Sequence, residues 1–399
     1  MRLFSATVFL AWAAFGVFTA SGSDWPRWRG PDLNGISTER GWQAQWPAAG
    51  PKQLWQAAVG TGFSSFSVSR GRVYTMGNTS DTDWVFCLDA NTGKALWKHS
   101  YACPLAPESF EGGPCATPTV ADGHVYTFSR QGHVFCLDAK TGAVAWSRNL
   151  NQELGLAIPR WGCAGSVLIE GNLAVLNMGS AGVALDKQSG KVVWVSDKSA
   201  GAYATPVPLK LDGDRCLLIF SRQSLIAVNA ATGGQRWSYP WKTSYDVNAA
   251  DPIVAGDKVF ICSGYNHGGA LLKVSARAAE AVWENKNMRN HFNTCVLWRG
   301  HLYGPDDSGL RCVAFDTGEL KWAYGQFGKG SLVVADDKLV ALSDKGELII
   351  AEAVPAAFRP ISRAQVLKGK CWTTPVLANG HIYCRNAVGD VVCLDVSGR

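Results

Sequence analysis

Short segments in which apolar and polar residues alternate recur along most of the chain, separated by turns rich in glycine and aspartate. This period of two residues is typical of half-buried β-strands. Residues 116 to 149 show the unit: ATPTV, the turn Asp122-Gly123, HVYTF, a short loop, HVFCLD, the turn AKTG and AVAWSRNL. Because no segment keeps a helical period over several turns, the pattern predicts an all-β protein built from four-stranded units.

A motif at the end of each unit repeats closely. LDANTGKALW (88–97) recurs as LDAKTGAVAW (137–146), LDKQSGKVVW (185–194) and VNAATGGQRW (228–237), and then in degraded form as VSARAAEAVW (274–283) and FDTGELKW (315–322). The spacing of 39 to 49 residues between successive tryptophans is that of one propeller blade. We expect each indole to cover the seam to the next blade. These structural tryptophans are Trp55, Trp97, Trp146, Trp194, Trp237, Trp283 and Trp322.

Two turns in each unit have backbone requirements that the sequence meets. The places of the two-residue hairpin turns are taken by Asp122-Gly123, Glu170-Gly171, Asp212-Gly213 and Asn379-Gly380. Such turns need positive φ angles at their central residues. In the LDxxTG turn, the Asp and Thr side chains can bond backbone groups, and the glycine supplies a left-handed residue.

The number of units predicts a closed ring. Seven complete units begin near Phe63, Ala116, Ala164, Ala204, Ala249, Phe292 and Gly330. An eighth begins at Thr373 but has only three strands, and KQLWQAAV (52–59) carries the tryptophan of the missing one. We therefore predict an eight-bladed β-propeller of four-stranded antiparallel blades, closed by the N-terminal strand that completes the last blade.

The (L/V)DxxTGxxxW motif, its period and the count of eight resemble the PQQ-like (pyrroloquinoline quinone repeat) propeller family of the quinoprotein alcohol dehydrogenase-like superfamily. The segments DWPRWRGPDLNGIS, WGCAGSVLIEG and GVALDKQSGKVVW are most similar to short exported bacterial propellers of that group. The resemblance covers residues 24 to 397. It implies the fold, and for function it leaves open both a scaffold of outer-membrane β-barrel assembly and a dehydrogenase.

The N-terminus indicates export. Residues 1–23 have the order of a secretory signal peptide, with Arg2, an apolar stretch from Leu3 to Phe18 and small residues that favour cleavage after Gly22 or Ser23. A membrane anchor is the alternative, although the apolar run does not exceed the ~20 residues that a spanning helix needs. We divide the remaining chain into an N-terminal extension that packs on the propeller (24–51) and a single propeller domain (52–397).

Charge and cysteine content narrow the functional classes further. The net charge of +6 is spread without a Lys/Arg run, so we expect no nucleic-acid partner, and we predict a periplasmic or secreted monomer with no later membrane segment. Among the 12 cysteines, Cys87, Cys136 and Cys393 share one strand position and are expected to be small core residues. Cys103 and Cys115 lie in one long loop and are the pair that an oxidising compartment would join if their geometry permits.

Binding is expected where loops are long. The loops between the second and third strands and between blades share one face, the long-loop face, whose longest segments are 101–115, 150–163, 239–248, 286–291 and 353–371. The opposite face, with the two-residue turns, is the tight-turn face. Because the innermost strands begin on the long-loop face, their first residues should ring the channel mouth. They are Phe63, Cys115, Cys163, Tyr203, Asn248, Phe292, Lys329 and Trp372.

Aromatic and cationic residues at this mouth suit a planar anion, which they would bind by stacking and charge-assisted hydrogen bonds. PQQ fits this description, and so do other anions. The alternative is that the aromatics pack the channel collar while the arginines pair with neighbouring carboxylates. The candidate ligand-binding residues are Arg130, Arg160, Trp161, Arg222, Asn248, Asp251, His291, Lys329, Lys370 and Trp372.

The resemblance also implies what a catalytic relative would need: calcium or a similar ion beside PQQ, an aspartate base and, in many cases, a disulfide between adjacent cysteines. This sequence has no Cys-Cys dipeptide, and its carboxylates near the mouth, Asp246 and Asp251, suit turn chemistry as well as a base or metal ligand. We therefore predict a non-catalytic binding or scaffold propeller of the cell envelope, without cofactor or metal, that takes an envelope protein or a small ligand. The alternative is a PQQ- and calcium-dependent alcohol or sugar oxidoreductase.

Overall fold

The computed structural model describes residues 23–47, 49–307 and 309–398. Within these ranges the strands form eight four-stranded antiparallel blades, which confirms the predicted fold class. The first strands of neighbouring blades contact one another, so they are innermost and surround the central channel. The predicted signal peptide lies outside the described residues except for Ser23.

The first four blades follow one another along the chain. Their strands, innermost first, are Ser67–Ser69, Arg72–Thr79, Thr82–Asp89 and Ala95–Ala102 in blade 1; Thr119–Ala121, His124–Phe128, His133–Asp138 and Val144–Asn149 in blade 2; Leu168–Glu170, Leu173–Leu176, Val183–Asp186 and Val192–Val195 in blade 3; and Val207–Leu211, Asp214–Phe220, Ser224–Asn229 and Gln235–Pro240 in blade 4.

The last four blades include both contributions from the N-terminal part of the chain. Their strands, innermost first, are Ile253–Ala255, Lys258–Ser263, Gly268–Val274 and Ala279–Asn285 in blade 5; Val296–Trp298, His301–Asp306, Gly309–Ala314 and Leu320–Tyr324 in blade 6; Ser331–Ala335, Lys338–Leu342, Glu347–Glu352 and Pro360–Gln365 in blade 7; and Val376–Ala378, His381–Arg385, Asp390–Asp395 and Lys52–Ala58 in blade 8. The short strand Ile36–Ser37 adds to blade 7 as a fifth, parallel strand beside Ser331–Ala335.

The ring closes as the sequence predicts. Lys52–Ala58 pairs antiparallel with Asp390–Asp395, so that Lys52 lies opposite Asp395 and Ala58 opposite Asp390. The N-terminal strand thus completes blade 8 and continues directly into blade 1. Because the ring is closed in this way, neither end of the chain leaves a blade with a missing strand.

Each structural tryptophan joins its blade to the next one. Its indole N–H donates to a backbone carbonyl at the end of the next blade's third strand or in the turn that follows, at N–O distances of 2.9 to 3.2 Å. In the seam between blades 3 and 4, Trp194 donates to the carbonyl of Ala230. The ring also packs on Gly233, whose φ is 70° and where an added Cβ would lie 2.6 Å from a ring carbon. The glycine of the LDxxTG motif is therefore required both by its conformation and by the indole above it.

The turns largely follow the predicted chemistry, with one correction. In the turn after Asp138, its carboxylate accepts hydrogen bonds from the backbone N–H of Lys140 and from both the N–H and the hydroxyl of Thr141. Glu170-Gly171 is wrong as the central pair of the blade 3 hairpin. Glu170 ends the strand opposite Leu173, and the central residues are Gly171 and Asn172, with Gly171 supplying a φ of 58°.

Cys103 and Cys115, whose bonding the sequence leaves open, are both free thiols. Cys103 is fully buried, and its carbonyl accepts a hydrogen bond from the Asn78 side chain. The Cys115 thiol instead faces the carbonyl of Gly113. Cys103 thus contacts a strand of blade 1, whereas Cys115 contacts its own loop. Burial raises the pKa of both thiols, to about 12 for Cys103 and about 11 for Cys115.

Helical structure is confined to two short loop segments in the part of the chain that the structure describes. The α-helix Leu150–Leu154 begins at Asn149, whose side chain accepts from the Gln152 N–H, and the 3-10 helix covers Ser244–Asp246. Both helices are too short to show a helical period of apolar residues in the sequence. Across the described ranges, no helix is long and apolar enough to cross a membrane.

Candidate functional site

The N-terminal extension lies across the channel at the tight-turn face. Trp25 exchanges two backbone hydrogen bonds of 2.8 Å with Val68 of the innermost strand of blade 1. Pro26 accepts from the N–H of Val120 in blade 2, and Ile36–Ser37 runs parallel to the end of the innermost strand of blade 7. We call residues 24–37 the channel plug, because they bridge innermost strands on different sides of the channel.

Two plug side chains extend into the interior. Arg29 is buried and donates to the carbonyls of Cys295 and Leu33. The Trp28 indole donates to Asp251 at 2.6 Å, and the other carboxylate oxygen of Asp251 accepts the Thr205 N–H at 2.8 Å. Asp251, a predicted ligand-binding residue, therefore contacts the plug, with both of its oxygens occupied by protein donors.

Asp251 belongs to a chain of hydrogen bonds around the channel. The backbone N–H of Ser65 donates to the Thr117 hydroxyl, that of Thr117 to Ser166, and that of Ser166 to Thr205, each from one blade to the next. The Thr205 N–H donates to the Asp251 carboxylate, and the backbone N–H of Asp251 donates in turn to the Thr294 hydroxyl. We call this the hydroxyl belt. In the sequence, three belt residues precede a proline, in the dipeptides Thr117-Pro118, Thr205-Pro206 and Asp251-Pro252. In the third dipeptide, Asp251 takes the place of a hydroxyl residue.

Burial makes Asp251 an unusual carboxylate. Desolvation raises its pKa to about 6, against the opposing effects of the Arg29 charge and of the hydrogen bonds from Thr205 and Trp28. The Arg29 guanidinium supplies the nearby positive charge, and burial lowers the pKa of that group as well. The hydrogen bond from Trp28 to Asp251 holds the plug against the belt.

At the channel mouth, three predicted ring residues come together. Trp372 lies with its ring centroid 5.8 Å from that of Phe63 and 4.8 Å from that of Phe292. The Lys370 ammonium lies 4.3 Å from the Trp372 centroid and the Lys329 ammonium 5.7 Å from it. The mouth thus presents an aromatic collar with two cations over one indole.

The collar continues as an arc along the long-loop face. His291 lies 5.2 Å from Phe292 between ring centroids, Tyr265 lies 4.2 Å from His291, and Tyr245 lies 5.3 Å from Tyr265. The arc ends in solvent, where Tyr245 is 65% exposed and Tyr265 is 39% exposed. We call these residues the aromatic arc. Its members are Phe63, Trp372, Phe292, His291, Tyr265 and Tyr245.

The exposed end of the arc has strained backbone. Tyr245 and Tyr265 have φ angles of 71° and 54°, and the residues that follow them, Asp246 and Asn266, have φ angles of 55° and 57°. Bulky residues rarely adopt this left-handed region, and such residues cluster at binding sites. Sequence reasoning missed both tyrosines, because neither stands in a repeated position.

His291, a member of the arc, and Lys329, beside Trp372, are both partly buried. Desolvation, followed by the Lys329 charge, lowers the pKa of His291 to about 4, and its buried Nδ1 makes no hydrogen bond with the described residues. Burial also lowers the pKa of Lys329. His291 is therefore a neutral aromatic ring at pH 7, which meets Tyr265 edge-on and lies tilted against Phe292.

The other predicted cations are already engaged. Arg160 pairs with Glu108 at 2.8 Å, Arg222 pairs with Asp246, and Lys370 pairs with Glu111 at 2.8 Å. Arg160 also stacks on Trp161, with its guanidinium carbon 5.0 Å from the ring centroid.

Two predicted candidates are buried and donate hydrogen bonds to backbone carbonyls. Arg130 is buried, and its guanidinium donates to the carbonyls of Leu105 and Trp161, which joins two of the long loops. Asn248 is fully buried and donates to the carbonyls of Ser221, Arg222 and Trp241. Although Arg130 and Arg222 stand in the same sequence, FSRQ, Arg130 is buried and Arg222 is exposed. The structure brings only Lys329, Lys370, His291 and Trp372 of the predicted set directly to the arc.

With this geometry established, sequence comparison decides the family. The profile of the family described as outer membrane protein assembly factor BamB matches residues 81–324, more than half of the chain. The chain belongs to this family. It has the PQQ-like propeller fold that the motif resembles. No protein of curated function matches the sequence at a significant level.

Solved structures share the fold of this BamB-family chain at low identity. BamB from Moraxella catarrhalis is similar over 88% of this chain and 99% of its own, with 18% identity and a TM-score of 0.65. Quinohemoprotein alcohol dehydrogenase from Comamonas testosteroni is similar over 94% and 81%, with 13% identity and a TM-score of 0.70. A europium-containing methanol dehydrogenase also has 13% identity and a TM-score of 0.70, over 92% and 90%.

The residues of this BamB-family propeller do not fit PQQ with calcium. Asp251 is bonded to Thr205 and to the plug, and Asp246 is paired with Arg222. In the ranges that the structure describes, no three carboxylate, thiol or imidazole side chains are grouped as a metal site. Hard cations such as calcium take six to eight oxygen ligands, of which carboxylates are the usual anchors. The mouth offers aromatic rings and cations, which suit an anion or a protein surface instead.

Proposed function

We propose that this protein is a non-catalytic, exported scaffold of the cell envelope that binds a protein partner through the aromatic arc of its long-loop face. The observation that carries the proposal is the end of the arc, where Tyr245 and Tyr265 stand in solvent on left-handed backbone. Tyrosine and arginine are enriched at the energetic centres of protein interfaces.

The charges beside the arc support a protein partner. Arg160 and Arg222 each have a carboxylate on the same face, so this region carries paired charges of both signs around an aromatic centre. That arrangement is typical of a polar interface rim, in which ion pairs determine specificity more than affinity. The family description, an outer membrane protein assembly factor, supports a partner within the envelope.

Photocrosslinking from defined positions tests the proposal. A photoreactive phenylalanine analogue at position 245 or 265 should give a discrete protein adduct in intact cells. The matched control positions are Val144, which is 46% exposed on the outermost strand of blade 2, and Asp122 on the tight-turn face. Adducts of the same size and yield from all four positions, or none from 245 and 265, would show that the arc is not the binding surface.

A paired substitution measures the contribution of the arc to binding. We expect Tyr245→Ala with Tyr265→Ala to weaken binding of the crosslinked partner by about 2–4 kcal/mol, as is usual for aromatic hot spots. Val144→Ala with Val282→Ala removes two exposed apolar side chains of the outermost strands and should leave the affinity unchanged. Equal affinities for the two double variants would remove the arc from consideration.

The alternative function is PQQ-dependent oxidation, which the family resemblance raised. It is tested by incubating the purified protein with PQQ and calcium, removing free cofactor by gel filtration, and recording the absorption spectrum and dye-linked alcohol oxidation. Retention of the chromophore together with oxidation would overturn the scaffold proposal. We expect neither, because Asp246 and Asp251 are both engaged by protein groups.

A further inference from the structure

The carboxylate of Glu39 is bonded to the start of the channel plug. One of its oxygens, Oε1, accepts the backbone N–H of Ser23 at 3.1 Å and the Ser23 hydroxyl at 3.0 Å. The same oxygen accepts the N–H of Asn379 in blade 8 at 2.6 Å. Ser23, Glu39 and the last blade are therefore joined at one atom.

This carboxylate has no positive partner among the described residues. All three donors to Glu39 Oε1 are uncharged as long as the nitrogen of Ser23 belongs to a peptide bond. The titratable groups of the propeller that sense the Glu39 charge are His381 and Tyr383. Burial lowers the pKa of His381 and raises that of Tyr383, so both side chains are neutral at pH 7. A partly buried carboxylate is stabilised more strongly by a charged donor than by a neutral one.

We propose that the Gly22–Ser23 peptide bond is the processing site of this protein, and that the new α-ammonium of Ser23 forms an ion pair with Glu39. Water, acting through an export peptidase, is the co-reactant. The C–N bond breaks, the hydroxyl of water goes to the carboxyl group of Gly22, and Ser23 keeps the nitrogen as an ammonium group. The inference does not depend on the function of the long-loop face.

The sequence around the bond agrees with this position. Cleavage after Gly22 places Gly22 and Ala20, both small, at the two positions that export peptidases select. Cleavage one residue later would remove both Ser23 donors and leave Glu39 with Asn379 alone. The structure thus distinguishes the two sites that the sequence leaves open.

Processing at this bond would complete the attachment of the plug. Asp24, the next residue, accepts hydrogen bonds from the Ser69 hydroxyl and the Arg70 N–H in blade 1. With Ser23 bound to Glu39, the chain is linked to blade 8 just before the plug begins, and Asp24 links the first plug residue to blade 1.

Intact mass and N-terminal sequencing of the protein purified from the envelope or the medium test the processing site directly. The expected chain begins at Ser23. A chain that begins at Asp24, or at any residue before Ser23, would overturn the proposal.

The ion pair has its own test, made on the mature chain. Reductive ¹³C-methylation and NMR titration should give the Ser23 amine a pKa about half a unit or more above the roughly 7.7–8.0 of an unpaired α-amine. Glu39→Gln should return it to that range, whereas Glu108→Gln, at a carboxylate paired with Arg160 on the opposite face, should not. An unshifted amine in the wild-type chain would contradict the ion pair even if Glu39→Gln failed to fold.

A chemical cycle separates the ion pair from a merely structural role of Glu39. Acetylation of the α-amine and Glu39→Gln should each lower the Tm by roughly 1–3 °C, and the two together should lower it no further than either alone. Additive losses would mean that Glu39 acts only through Asn379 and would overturn the inference.

Discussion

A single side chain determines how the channel is closed. The hydroxyl belt needs only an acceptor from each blade, and in blade 5 that acceptor is Asp251. A carboxylate has a second oxygen to offer, and the Trp28 indole of the plug occupies it. One substitution of hydroxyl by carboxylate thus connects the belt to the plug, although it leaves a buried negative charge beside Arg29.

This charge predicts a pH dependence of stability. The native pKa of Asp251, about 6, is above the unfolded value of 3.8, so the folded state binds the proton more tightly. The stabilisation by Asp251 is therefore fully present below pH 3.8 and is lost as the pH rises through 6. At 1.36 kcal/mol per pKa unit, the free energy of unfolding of the wild type relative to that of Asp251→Asn should fall by about 2 kcal/mol between pH 4 and pH 7.

Urea denaturation at several pH values measures this difference. Thr205→Ala perturbs the same belt without removing a titratable group, so it should lower stability by a similar amount at pH 4 and pH 7. If the wild-type and Asp251→Asn curves run parallel over this range, the carboxylate is not the buried group that the structure shows.

At the scale of the strand and its turn, neighbouring blades are joined where the indole of one blade packs on the turn glycine of the next. The Trp194 N–H satisfies the carbonyl of Ala230, which has no access to solvent for an alternative donor. The same contact recurs around the ring, so the motif describes an interaction between blades as well as a turn within one. Blade 7 lacks the tryptophan, and at its seam with blade 8 the carbonyl of Val396 accepts the backbone N–H of Gln43 from the N-terminal extension.

Removing one indole N–H should weaken its seam. Trp194→Phe keeps an aromatic ring but leaves the carbonyl of Ala230 unpaired, and we expect a loss of about 1–3 kcal/mol in free energy of unfolding. Trp298→Phe is the matched control, because that indole donates to Asp337 in an exposed hydrogen bond that water can replace. Equal losses in the two variants, measured by urea denaturation, would mean that ring volume and not the buried hydrogen bond determines the effect.

The same elements show what the sequence reveals. Strands, turns and seams repeat, so period-two alternation and the LDxxTG motif predict them from local residues alone. Arg130 and Arg222 share the sequence FSRQ, yet Arg130 is covered by Leu105 and Trp161 from other loops and Arg222 is not. Burial of this kind depends on contacts distant in sequence, so no local pattern predicts it. The two-residue strand Ile36–Ser37 is too short to show any period, and the path of the plug remained hidden for that reason.

The whole molecule is a ring whose two ends meet in blade 8, next to blade 1. Pairing of Lys52–Ala58 with Asp390–Asp395 ties the ends through the backbone. Arg385, fully buried in blade 8, ties them through a side chain. It donates to the carbonyls of Ser64 and Met76 at 2.9 and 2.7 Å and to that of Gly60 at 3.1 Å. No carboxylate faces it in the described part of the chain, and burial lowers its pKa to about 9.

The closing seam should therefore open first when Arg385 is replaced. Arg385→Met removes the buried charge and leaves the blade 1 carbonyls without donors, so hydrogen exchange in Lys52–Ala58 and Ser67–Ser69 should speed up by at least tenfold, the equivalent of about 1.4 kcal/mol of opening free energy. Arg130→Met is the matched control, since Arg130 is also buried and donates only to carbonyls of two long loops, 101–115 and 150–163. Its faster exchange should be confined to those loops. Uniform acceleration across all eight blades in the Arg385 variant would show instead that the ring unfolds as a whole, with no weaker seam where its ends meet.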